Sequence, residues 1–229
     1  MKALVIFAAV SVFAGATTLT AADAKAIDVV KDAAHKLAVA GNYSWNVTYD
    51  DAHQFAGPMS GRAEKGGYAC LDFPAQNNGN EMEAVLKDSQ GAISTKQGWE
   101  LMDEWKWLEA IPDKSLEASV RSWMMEWHFH LYKLPATEAQ NLAFHVQNLT
   151  GSDGVYSGMV PFRGDVKCSV RFWIKDGVLT QYQVHYKGRQ KGFDHLISDT
   201  DIDQTTTVAI KDVGTTKITV PNAVRDKLA

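Results

Sequence analysis

Apolar and polar residues alternate at every second position from Cys168 onward, with Cys168, Val170, Phe172 and Ile174 on one side and Ser169, Arg171 and Lys175 on the other. A period of two is that of a strand with one wet face. Trp173 breaks the rule by placing an aromatic ring on the polar side. Lys175-Asp176-Gly177 supplies the positive φ that a tight hairpin needs. Beyond it, Val178, Thr180, Tyr182, Val184 and Tyr186 share a face against Gln181, Gln183, His185 and Lys187. A second hairpin is predicted from Thr205–Lys211 and Lys217–Val220, joined by Asp212-Val213-Gly214-Thr215 and stopped by Pro221, which has no N–H to give a ladder. A long antiparallel sheet thus dominates the C-terminal third, and no catalytic motif sits on it.

Toward the N-terminus the period changes. Ile27, Val30, Ala34 and Leu37 recur at helical spacing between Lys25 and Ala40, and Gly41 is placed as a C-terminal stop. Tyr43–Tyr49 then alternates aromatic or branched residues with small polar ones and is the clearest strand of the first half. Further strands are predicted at Pro58–Lys65 and Tyr68–Phe73 around Gly66-Gly67, and at Glu81–Lys87 and Ala92–Lys96. Gln97-Gly98-Trp99 reads as a turn. From Glu100 to Asn148 the chain becomes rich in Trp and Met, and Leu116, Val120, Trp123, Met124, Trp127 and Leu131 form one apolar helical stripe bracketed by Pro112 and Pro135. Thr137–Asn148 is compatible with a last helix or the start of another strand.

The start Met1-Lys2, followed by an apolar run from Ala3 to Phe13, reads as a secretory signal peptide, too short to span a bilayer. Small residues permit cleavage after Ala16, Ala22 or Ala24, and the start of the next helix favours the latter two. Cleavage at Ala22 leaves residues 1–22 as the signal and residues 23–229 as a single domain. No cysteine lies near these sites for lipid attachment, so the expected product is periplasmic or secreted, with no stable membrane insertion. The full chain has 229 residues, 45% of them hydrophobic and 22% charged, which is ordinary globular composition. Its net charge of −4, without a basic run, excludes a nucleic-acid partner. Two cysteines, Cys70 and Cys168, fall on predicted strands of an exported chain, where a disulfide is chemically permitted. They form a bridge only if the strands present them face to face; otherwise they are two separately buried thiols.

The chain carries no recognisable catalytic or metal signature. His128 and His130 would point to different faces of a helix, without a third ligand in register. Asp199, Asp201 and Asp203 resemble the start of a calcium loop but lack its glycine and distal glutamate. There is no nucleophile elbow and no phosphate-binding glycine loop. No metal or cofactor is expected. What remains is aromatic load: Tyr43, Trp45, Trp99, Trp123, Trp127, Phe172, Tyr182 and Tyr186 all fall on faces read as inward. They either fill a core between helix and sheet or line an apolar cavity able to take an acyl chain.

The order of elements, together with Tyr43-Ser44-Trp45, the segment Phe172–Leu179 and the closing Asp212–Pro221, resembles the outer-membrane lipoprotein carrier superfamily, in particular its exported bacterial members. That resemblance implies an α+β fold: a strongly curved antiparallel sheet, an incomplete β-barrel, closed by an N-terminal helix and an inserted helical lid. It also implies binding of a lipid or lipoprotein acyl chain without enzymatic activity. The apolar site it implies comprises Trp45, Val47, Phe172, Tyr182, Val184 and Tyr186 on the sheet, with Trp123, Met124 and Trp127 on the lid. Where true carriers have an arginine-proline segment leading into an aromatic strand, this chain has Tyr68-Ala69-Cys70-Leu71-Asp72-Phe73-Pro74. Apolar-ligand binding is therefore expected without the lipoprotein hand-over. The alternatives are an envelope-sensing or protein-interaction module with a filled interior, and, third, a hydrolase, which would need an acid or nucleophile pair converging in a cleft.

Overall fold

The computed structural model describes residues 21–50, 60–73, 82–88, 90–95, 98–101, 134–162, 165–190 and 200–228. The predicted Trp/Met helix, with Trp123, Met124 and Trp127, lies outside the described residues, as does the signal segment up to residue 20. The fold is α+β. Helix α1 (Ala21–Ala40) precedes strands β1 (Tyr43–Tyr49), β2 (Ser60–Ala63), β3 (Tyr68–Phe73), β4 (Met82–Lys87), β5 (Gln90–Thr95) and β6 (Gly98–Leu101). Helix α2 (Pro135–His145) is followed by β7 (Gln147–Ser152), β8 (Val155–Val160), β9 (Lys167–Lys175), β10 (Val178–Gln190), β11 (Thr200–Lys211) and the short α3 (Asn222–Arg225). Among the described residues, 11 strands join one antiparallel sheet in the order β6-β5-β4-β3-β2-β1-β11-β10-β9-β8-β7. The order begins at β6 and ends at β7, so the sheet is not closed into a barrel.

The first half of the chain builds one wing by successive hairpins and the second half builds the other. β1 and β11 join them, with Trp45 opposite Ile210 and Val47 opposite Val208. Turn chemistry follows the sequence. Asp176-Gly177 and Asp153-Gly154 both place two consecutive residues at positive φ, as tight hairpins require. Gly41 ends α1 at φ 72°, its N–H bonded to the Leu37 carbonyl.

One face of the sheet carries the main core. Ala26, Val30, Ala33, Ala34 and Leu37 of α1 and Ala136, Ala139, Leu142 and Ala143 of α2 join a continuous cluster with residues of β1–β4, β7 and β9–β11. Helix α1 packs on β7, β9 and β10 and against α2. Its alanines bring the backbone close to the strands, which is why Ala26 and Ala33 are buried while the predicted Ile27 is only half-buried. The opposite face has a smaller core in which Val220, Val224 and Leu228 cover Cys70, Val85 and Ala92. Asn42 ties the two ends of the chain: its Nδ2 donates to the Thr216 carbonyl at 2.8 Å and its Oδ1 accepts from the Lys65 N–H at 2.9 Å.

Several sequence expectations change. Lys217–Val220 is not a strand; β11 pairs instead with β1 and β10, and the residues after Lys211 run across the second face into α3. Gln97-Gly98-Trp99 is not only a turn, because Gly98–Leu101 forms β6, and Trp99 packs with the second core. Thr137–Asn148 holds both options in succession: α2 ends at His145 and β7 begins at Gln147. The Cys70–Cys168 bridge does not exist. Both thiols are free and buried, Cys70 in the second core and Cys168 in the first, and a sheet lies between the two clusters.

Candidate functional site

On β10 the alternation is interrupted by a register shift between Leu179 and Gln181. An extra residue re-aims the strand. Leu179 is thereby buried with Tyr182 and Val184, whereas Val178 and Thr180, expected inward, are only half-buried. Among the described residues the structure brings Trp45, Val47, Phe172, Tyr182 and Val184 into one core cluster, with Tyr186 packed against it. Phe172 and Tyr182 are 0% and 1% exposed.

The cluster has a distinctive floor. Across β2, β3 and β4 the core face carries Gly61, Ala63, Ala69 and Ala84 beside Leu71 and Phe73. The Trp45 indole lies directly over Gly61: a Cβ added there would stand 2.7 Å from Cε2 and Cη2 of the ring. No side chain larger than hydrogen fits beneath the indole. Tyr43 packs against the same ring at 5.5 Å between centroids.

Polar groups punctuate this apolar face at its α2 end. The Tyr182 hydroxyl donates to Glu138 Oε2 at 2.6 Å, and the Ala136 N–H donates to the Tyr43 hydroxyl at 3.3 Å. The Tyr186 hydroxyl and the Cys168 sulphur interact with each other. Burial pushes the Tyr43 hydroxyl up to about 12 and the Tyr182 and Tyr186 hydroxyls well above their ordinary range, with the Glu138 charge adding to the last two. All three remain protonated at neutral pH. Burial likewise raises the Cys168 thiol, so it is not a thiolate nucleophile. Glu138 was missed in the sequence. Its signal was Pro135 at the first turn with an acid three residues on, the pattern of a helix start.

The other face of β8–β11 is polar. A groove of about 510 Å³ is lined by Asp50, Ser157, Met159, Ser169, Arg171, Gln183, His185 and Thr205, together with backbone of Gly158 and Val170. Asp203 on its border bonds His185 Nε2 through Oδ1 and Lys187 Nζ through Oδ2, both at 2.7 Å. These bonds hold its carboxyl below the usual range. Ser169 is the cross-strand neighbour of His185, so serine, histidine and aspartate follow one another across three strands. Among the described residues Ser169 makes no hydrogen bond to His185, and the Asp203 side chain is 60% exposed and shared with Lys187. This is a solvated ion cluster rather than the dry relay that nucleophile activation requires.

Among the described residues no group of three or more His, Cys, Asp and Glu side chains could hold a metal ion, and no helix is long and apolar enough to cross a membrane. No protein-family model and no curated protein sequence matches the chain.

Proposed function

We propose that the protein is an exported, non-enzymatic binding or carrier protein for a lipid-like ligand, which it holds against the core face of its sheet. The observation that carries the reading is the floor of Gly61, Ala63, Ala69 and Ala84 under a single indole. Swinging Trp45 aside would free an apolar trough bordered by Val47, Leu71 and Phe73. Burial of an acyl chain there is worth roughly 0.8 kcal/mol per methylene, so a short length suffices for useful affinity without a charged anchor. The sheet's being unclosed supports access, and eleven strands spaced about 4.8 Å apart are wide enough to bend around a ligand. In this reading α1 and the Trp123, Met124 and Trp127 segment close the trough. Phe172, Tyr182, Val184 and Tyr186 form its wall toward α2. Removal of residues 1–22 delivers the domain to the periplasm or beyond, where an acylated molecule or an envelope protein is its partner.

A second reading, an interaction module with a filled interior, is favoured by the complete burial of Phe172, Leu179 and Tyr182. Native mass spectrometry of protein purified gently from its host, with uptake of a fluorescent fatty acid, separates the two. The carrier reading expects co-purifying lipid and saturable uptake, lost in Trp127→Asp and kept in Lys187→Ala. A ligand-free mass with no uptake by the wild type leaves the interaction module.

A further inference from the structure

Trp173 is the residue that the alternation of β9 does not explain, and the structure gives it a setting. Its neighbour Phe172 is fully buried, while Trp173 is half-exposed on the opposite face, paired with Val155 and Gln181. The Arg171 guanidinium stands 5.7 Å from the centre of its ring, and Arg171 lines the polar groove of about 510 Å³.

The chemistry of the lining selects the ligand class. Ser157, Ser169, Thr205 and Gln183 each both donate and accept hydrogen bonds. An anion would call for donors alone. The charges at the groove, Arg171 and Asp50, are opposite in sign, so it offers no net field to a polyphosphate. Groups that donate and accept at every position match the hydroxyls of a sugar, which do the same. Trp173 is not part of the lining itself but stands next to Arg171 on the same face, and a half-exposed indole provides the flat apolar surface on which the C–H face of a pyranose stacks. The polar side chains are already held in place: Arg171 Nε donates to Ser157 Oγ at 3.2 Å and Gln183 Nε2 to Thr207 Oγ1 at 3.0 Å. Pre-oriented groups lower the ordering cost of binding.

We propose that the outer face of β8–β11 is a saccharide-binding site, with Trp173 and Arg171 as its stacking end and Ser157, Ser169, Gln183 and His185 as its hydrogen-bonding floor. It lies on the opposite side of the sheet from the apolar trough and does not depend on it.

The test is titration of the full mature chain with the neutral sugars cellotriose, chitotriose, maltotriose and mannotriose, followed by calorimetry and by amide chemical-shift mapping. At least one trisaccharide is expected to bind saturably with a Kd of about 1 mM or tighter. Shifts should centre on β9 and β10. Trp173→Ala and Gln183→Ala, both on the wet face, should each weaken binding about tenfold or more, with thermal unfolding checked for each; should either fail to fold, the wild-type shift map and the other variant decide. Absence of binding to all four, shifts confined to other strands, or unchanged affinity in the folded variants would overturn the assignment. Fatty-acid uptake by the same preparation reads the trough separately, so failure on one face is distinguishable from failure on the other.

Discussion

Replacing Gly61 by alanine puts the packing under Trp45 to a direct test. Gly61 sits within β2 opposite Trp45 and Leu71, and alanine is the better strand residue by roughly 0.5–1 kcal/mol because glycine loses more backbone freedom on folding. Against that gain, the new methyl carbon would overlap Cζ2 of the indole and stand 2.7 Å from two more of its atoms. Ordinary contact needs about 3.5 Å or more, so the ring must shift by more than an ångström within a well-packed cluster. Overpacking of this kind costs about 1–3 kcal/mol. The net expectation is a loss between about zero and 2.5 kcal/mol, and its sign alone would prove little. The informative experiment is a double-mutant cycle in urea, followed by far-ultraviolet circular dichroism, with Trp45→Leu as the second change. Once the indole is gone the alanine should be neutral or stabilising, so the coupling between the two sites should reach about 1–3 kcal/mol. A coupling below about 0.5 kcal/mol would refute the claim that the indole rests on the glycine, and with it the trough beneath.

The buried polar groups and thiols carry three further predictions. Tyr182→Phe removes a hydrogen bond to a carboxylate and should cost about 1.5–3 kcal/mol in urea unfolding, while Glu138→Gln, which keeps an acceptor, should cost less; equal losses would argue against a charge-assisted bond. The thiols should both titrate with a disulfide reagent after denaturation without reductant and neither should react readily in the native protein at neutral pH; a mass lower by two hydrogen atoms would contradict the separated clusters. Burial pushes the Cys70 thiol from 9.0 up to about 11. The folded state therefore keeps its proton while the unfolded chain ionises, so the associated stability is present below pH 9 and falls as the pH rises through 11. Wild type should lose stability across that window, by an amount on the order of 2 kcal/mol, more steeply than Cys70→Ala does; parallel curves would show that Cys70 is not the group responsible.

Strand positions were legible wherever one face is apolar and the other wet. Tyr43–Tyr49 and the β9–β10 hairpin alternate because their neighbours impose two environments, and a period of two records that directly. Most of β7 and all of β8 escaped notice because Gln147–Ser152 holds a single apolar residue, Leu149, and Val155–Val160, though rich in apolar residues, does not alternate them with polar ones. The inward face of β10 was misjudged only at its start, since a bulge shifts facing by one residue without leaving a mark in composition. Of the candidate apolar residues, Trp45, Val47, Phe172, Tyr182, Val184 and Tyr186 do meet in one region.

The local chemistry of the chain alone determined the α+β class, the Gly41 stop, the Asp-Gly hairpin and the inward aromatics, because each rests on the conformational freedom or periodicity of neighbouring residues. Tertiary structure alone decided the rest. It pairs β1 with β11, sends the C-terminal segment to the second face, and puts a sheet between Cys70 and Cys168. It also sets Glu138 on Tyr182 and the Trp45 indole on Gly61. Those are contacts between residues remote in sequence or on separate strands, fixed by which strands become neighbours, and no local pattern carries that information.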